Sequence, residues 1–90
     1  MKRIEVYVSG VVQGVGFRYF TRKVAKELGI KGYVMNLPDG RVYIVAEGKD
    51  DQLDKFLSAV RQGPTHAVVK NVEVTEKQPT GEFSDFSIRF

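Results

Sequence analysis

The sequence predicts an α+β fold of the ferredoxin-like kind, a βαββαβ sandwich with two helices on one face of a mostly antiparallel sheet. Three observations carry that expectation. The apolar period switches between strand-like and helix-like in the order β, α, β, β, α, β, and a short extra C-terminal strand follows. Pro38-Asp39-Gly40 supplies a tight turn between the two middle strands and makes them a hairpin. Each helical stretch has a single apolar face, and both faces need the same sheet to cover them.

The elements follow in order. Ile4, Val6 and Val8 alternate with Glu5, Tyr7 and Ser9, a half-buried strand that continues to about Val12. From Arg18 to Leu28 the period becomes helical. Phe17, Phe20, Val24 and Leu28, with Ala25 beside them, form the apolar face, and Gly29 suits the helix end. Lys31 to Leu37 is the second strand and Arg41 to Glu47 the third. Asp50 or Asp51 is placed to cap a second helix, with Leu53, Phe56, Leu57 and Val60 facing inward and Gly63-Pro64 stopping it. Ala67 to Lys77 reads as a fourth strand whose parity slips, which a bulge near Lys70 and Asn71 reconciles. Gln78 to Glu82 is a turn-rich link, and Phe86, Ile88 and Phe90 alternate in the last strand.

This order has a consequence for function. The first helix carries the chain back, so strands one and two run parallel with strand three between them. Their C-terminal ends then share one end of the sheet. Gly10 to Arg18, reading G-V-V-Q-G-V-G-F-R, leaves the first strand there, and Asn36 closes the second. Topology alone brings Asn36 toward Arg18.

Composition narrows the chemistry. The chain has no cysteine, which excludes disulfides, thiolate metal ligands and thiol catalysis. No apolar run approaches the roughly 18 residues that span a bilayer, and Met1-Lys2-Arg3-Ile4-Glu5 enters strand alternation directly, without a signal peptide. A net charge of +3 and a pI near 9.3 suit anionic small molecules and nucleic acid alike.

The glycine stretch is the strongest functional signal. Gly10, Gly14 and Gly16 free the backbone between a strand and a helix start, where N–H groups are unpaired and the macrodipole is positive. No Gly-Lys-Ser/Thr follows, so this is not a nucleotide P-loop, and the spacing is wrong for a dinucleotide fingerprint. Glycines alone fit a turn without a ligand. Arg18 changes that balance. A cation at a helix N-terminus opposes the dipole unless an anion arrives, and a guanidinium fork matches phosphate oxygens. Asn36, by itself a turn residue before Pro38, gains interest from its inferred closeness to Arg18. Its amide is no base at neutral pH but can hold a water. His66 reads as a surface residue, and Asp50, Asp51 and Asp54 as capping and solvated positions rather than metal ligands.

The stretch Val11-Val12-Gln13-Gly14-Val15-Gly16-Phe17-Arg18 resembles the first signature of the acylphosphatase family. Lys31-Gly32-Tyr33-Val34-Met35-Asn36-Leu37-Pro38-Asp39-Gly40 resembles the second. The ending from Phe83 to Phe90 is also similar to family C-termini, so the match covers essentially the whole chain, as one domain over residues 1–90. The resemblance implies hydrolysis of the carboxyl–phosphate anhydride of a small acyl phosphate, with no metal or other cofactor. It implies that Arg18 is the phosphate-binding catalytic arginine and Asn36 the water-positioning residue. Backbone donors would come from Gln13, Gly14, Val15, Gly16 and Phe17. The expected protein is a monomer that engages neither nucleic acid nor membrane, with the cytoplasm as the default compartment.

Two other readings share the topology. An RNA recognition motif has the same βαββαβ plan, and Val6-Tyr7-Val8-Ser9-Gly10-Val11 loosely resembles its first-strand signature, but Arg41 to Glu47 lacks the aromatic third-strand signature. A non-catalytic acylphosphatase-like module would differ only in lacking turnover.

Overall fold

The alternation of Ile4, Val6 and Val8 puts one side of strand β1 (Lys2–Val11) into the core, where all three are buried, while Glu5 and Tyr7 face the other way. The computed structural model describes residues 1–90. After β1 come α1 (Phe17–Glu27), β2 (Lys31–Asn36), β3 (Val42–Gly48), α2 (Asp50–Gln62), β4 (Val68–Lys77) and β5 (Phe86–Arg89). The strands form one mixed sheet in the order β4-β1-β3-β2-β5. This is the ferredoxin-like α+β fold with an added C-terminal strand. β1 and β2 each pair antiparallel with β3 and so run parallel to one another, as the sequence predicts. β5 adds to β2 in parallel, with Met35 opposite Arg89.

The core lies between the sheet and the two helices. Val6, Val8, Val34, Val42 and Ile44 meet Phe17, Ala25, Leu53, Phe56 and Val60 there. Burying each large apolar side chain contributes about 1.5–3 kcal/mol, so this layer holds the helices to the sheet. The stripe of α1 that is fully buried is Phe17-Thr21-Ala25, at i, i+4, i+8. Phe20, Val24 and Leu28, predicted on the same apolar face as Phe17 and Ala25, flank it and are half-buried. Thr21 tolerates burial because its hydroxyl donates to the Phe17 carbonyl at 2.8 Å. The helix ends in a Schellman arrangement: Ile30 N–H donates to Ala25 and Gly29 N–H to Lys26.

Two local expectations meet different outcomes. The bulge near Lys70 and Asn71 is present. Ser9 pairs with Asn71 and Gly10 with Val69, so Lys70 is the extra residue. Gly10 is required at that point, since a Cβ there would lie 2.1 Å from the Val68 carbonyl oxygen. The cap of α2 differs. Lys49, in extended conformation, occupies the N-cap without a side-chain bond. Asp50 and Asp51 sit inside the first turn, where they complement the macrodipole instead of capping it, and Asp50 pairs with Lys2 at 3.6 Å.

Candidate active site

The backbone between β1 and α1 is short of hydrogen-bond partners. None of the N–H groups of Gln13, Gly14, Val15 and Gly16 donates to an acceptor in the chain, and the first bond of the helix runs from Phe20 N–H to the Gly16 carbonyl. The N–H groups of Phe17, Arg18 and Tyr19 lack intrahelical partners because they form the first turn. The result is a run of free donors at the positive end of a helix dipole. Gly14 and Gly16 hold this shape with φ of 75° and 78°, the left-handed region that a side chain disfavours. Gly16 is the N-cap of α1, and no side chain caps the helix in its place.

Phe17 fixes the direction of the next residue. It is 2% exposed and packs into the core, which turns Arg18 out beside the loop. Arg18 makes no ion pair within the chain, and the first turn of α1 holds no acidic residue. Its guanidinium carbon lies 4.8 Å from the centre of the Phe90 ring. That stacking leaves the in-plane N–H donors available.

Asn36 ends β2 on the helix-facing side of the sheet, two residues beyond the buried Val34, and pairs with Val42 of β3. Its Oδ1 is buried and has no hydrogen-bond partner. A buried acceptor without a donor costs about 1–3 kcal/mol, so something in the working state has to repay it. Asn36 and Arg18 line one small cavity of about 70 Å³, together with Val12, Gly14, Gly16, Phe17 and Tyr19. Three larger hollows, of about 570, 490 and 250 Å³, contain none of the predicted site residues. The small cavity is the one that combines free N–H donors, an unpaired cation and an unpaired amide oxygen.

Of the predicted set, Gly14, Gly16, Phe17, Arg18 and Asn36 line this cavity, and Gln13 and Val15 belong to the adjoining loop. The side chain of Gln13 has a place that sequence reasoning did not assign. Its Nε2 donates to the Leu37 carbonyl and to the Arg41 carbonyl, both at 2.9 Å. Phe90 is also displaced from its expected position. It lies past the end of β5, 93% exposed, against Arg18. The parallel pairing of β5 with β2 delivers it to the end of the sheet where β1 and β2 finish. His66 is exposed, as the sequence suggests. No group of three or more His, Cys, Asp or Glu side chains is arranged to hold a metal ion, and no helix is long and apolar enough to cross a membrane.

Comparison with known proteins supplies the rest. Residues 4–88 match the acylphosphatase family model. The chain is 61% identical to an acylphosphatase of Archaeoglobus fulgidus over 90 residues, covering all of both chains. It is 57% identical to an acylphosphatase of Thermotoga maritima over 90 residues, covering all of this chain and 99% of that one. Among solved structures, the acylphosphatase from Bacillus subtilis superposes with a TM-score of 0.97 at 40% identity, with full coverage of both chains.

Proposed function

The chain belongs to the acylphosphatase family and has acylphosphatase function, and from that premise we propose how the cavity between the glycine loop and β2 performs the reaction. The phosphoryl group of a small acyl phosphate enters the loop. Its oxygens accept hydrogen bonds from the free N–H groups of Gln13 to Arg18 and from the Arg18 guanidinium. The acyl group stays at the mouth, since a cavity of about 70 Å³ has room for the phosphate end only. Asn36 holds a water through its unpartnered side-chain oxygen, opposite the leaving carboxylate.

The water oxygen bonds to phosphorus while the bond from phosphorus to the carboxylate oxygen breaks. No carboxylate or imidazole lines the cavity to act as a base, so the proton of the water passes to a phosphate oxygen of the substrate. The carboxylate leaves readily at neutral pH without being protonated. Catalysis then rests on positioning and on charge stabilisation by donors already aimed at the phosphoryl oxygens. No step in this scheme calls for a metal or another cofactor.

The observation that carries this reading is the unpaired state of all three components. The loop N–H groups, Arg18 and the Asn36 oxygen have no protein partner that a ligand would need to displace. The RNA-binding alternative is less well supported. The rings on the open sheet face are covered by the chain itself, with Arg41 4.5 Å from the centre of Tyr7 and Arg89 3.7 Å from that of Tyr33. We take the chain to act as a single-domain cytoplasmic monomer on a small molecule. Hydrolysis of benzoyl phosphate in the presence of chelator, followed beside the Arg18→Ala variant, tests the proposal. Turnover by the wild type that is lost in the variant supports it. A folded wild type without turnover would return attention to RNA and partner binding.

A further inference from the structure

β3 lies between β1 and β2, so the loop that carries Arg18 and the strand end that carries Asn36 are not hydrogen-bonded neighbours in the sheet. Two inter-strand spacings, about 10 Å, separate their backbones. In-line attack by a water held at Asn36 depends on that gap being fixed, because a misplacement of about 1 Å is already costly in rate. The side chain of Gln13 crosses it. Both amide hydrogens are used, one on the Leu37 carbonyl and one on the Arg41 carbonyl, each at 2.9 Å. Leu37 is the residue after Asn36, and Arg41 leads into β3. The same two carbonyls close the turn between β2 and β3, accepting from Gly40 N–H at 3.2 Å and from Leu37 N–H at 2.8 Å. Gln13 therefore supplies each carbonyl with a second donor, and no other side-chain bond joins the glycine loop to this hairpin. The amide orientation is unambiguous, since the flipped form would set an oxygen against two oxygens.

We propose that Gln13 is a positioning residue, whose side chain holds the phosphate loop at a fixed distance from Asn36 and so sets the angle of water attack. This rests on the assignment of Asn36 as the water holder. Gln13 uses its side chain for the brace, so any contact it makes with phosphate comes from its backbone N–H, which a side-chain substitution retains. Losing the brace leaves the phosphate cradle assembled but lets the hairpin drift. The chemistry suffers and binding does not.

The test compares wild type, Gln13→Met, Gln13→Glu, Asn36→Ala and the double variant Gln13→Met/Asn36→Ala. Turnover and KM are measured with benzoyl phosphate, and competitive inhibition by inorganic phosphate reads the cradle alone. Methionine keeps the length and has no donor, while glutamate keeps the shape and presents only acceptors to the two carbonyls. A displacement of about 1 Å at a reacting centre costs up to about a hundred-fold in rate. Each Gln13 variant is expected to lose about ten- to a hundred-fold in kcat, with phosphate inhibition unchanged within about two-fold. The double variant should be no slower than Asn36→Ala, because no held water remains to be misplaced. A purely structural role would lower thermal stability without this kcat-selective loss. Impaired Asn36→Ala beside a normal Gln13→Met, or additive losses in the double variant, would overturn the brace. A fully active Asn36→Ala would instead overturn the assignment on which it rests.

Discussion

The guanidinium of Arg18 is stacked on the ring of Phe90, 4.8 Å from its centre, although the two residues lie at opposite ends of the sequence. The ring covers one face of a cation that has no carboxylate partner in the chain. It limits the rotamers of a long side chain that would otherwise sample solvent. Phe90 is 93% exposed and contributes little to the core, so Phe90→Ala should fold normally. A cation–π contact at an exposed site is worth about 0.5–1 kcal/mol. The variant is expected to bind inorganic phosphate about two- to five-fold more weakly, and Phe90→Tyr should restore the affinity. Equal inhibition constants in all three proteins would show that the ring does nothing for Arg18.

Arg18→Lys separates charge from geometry. Lysine keeps the positive charge but offers a point donor where the guanidinium offers a planar fork. Removing one donor to developing negative charge costs about 10²–10³ in turnover in other enzymes. The lysine variant should lose about a hundred-fold in kcat with benzoyl phosphate while its circular dichroism and melting temperature stay close to wild type. Arg18 lies outside the buried core and makes no hydrogen bond to another element, which is why the fold should survive. Turnover within a few-fold of wild type would count against a bidentate clamp.

Asn36 carries a prediction in which activity and stability move apart. Its side-chain oxygen is buried and unpaired, and no hydrogen bond within the chain is lost when it is removed. Asn36→Ala should therefore melt no lower than wild type, since the relief of about 1–3 kcal/mol offsets the lost packing. Its kcat should fall by about ten-fold or more, with phosphate inhibition little changed. A marked drop in melting temperature would mean that the amide is a structural residue and not a held-open site.

Much of this was legible in the sequence because it follows from residue type and chain order. The alternation of Ile4, Val6 and Val8, the turn at Pro38-Asp39-Gly40 and the parity slip near Lys70 are local signals, and each corresponds to a feature of the structure. The approach of Asn36 to Arg18 required only that β1 and β2 run parallel about β3. What was not legible depends on tertiary contact. Thr21 reads as a polar, outward helix residue, and only the packing of α1 against the rest of the fold shows it to be buried. Phe90 shares the parity of Phe86 and Ile88, so it reads as a core strand residue. Only the end of β5 at Arg89 releases it to Arg18. The acceptors of Gln13 lie 24 and 28 residues away, and no local pattern announces them.

At the other end of the sheet from the site, Glu47 ties the link before β5 to β1. It is 3% exposed, and its carboxylate accepts from the N–H groups of Thr80 and Gly81 at 2.9 and 3.0 Å, from the Thr80 hydroxyl at 3.2 Å and from Arg3 at 3.3 Å. Burial disfavours its charge, but the Thr80 and Gly81 N–H groups, with Arg3 and the Thr80 hydroxyl, outweigh that and hold its pKa below the ordinary 4.5. A carboxyl whose pKa is lowered by folding stabilises the native state above its unfolded pKa, and the contribution disappears as the pH falls through the lowered value. Glu47→Gln keeps the shape but weakens the charge-assisted bonds. It should cost about 2 kcal/mol in urea unfolding at neutral pH, with benzoyl phosphate turnover unaffected, because Glu47 is remote from the cavity of Arg18 and Asn36. As the pH is lowered below 4.5 the wild type should lose this advantage, and the two unfolding curves should converge. A gap that persisted unchanged in strong acid would mean that the variant is destabilised by packing and not by loss of the carboxylate charge.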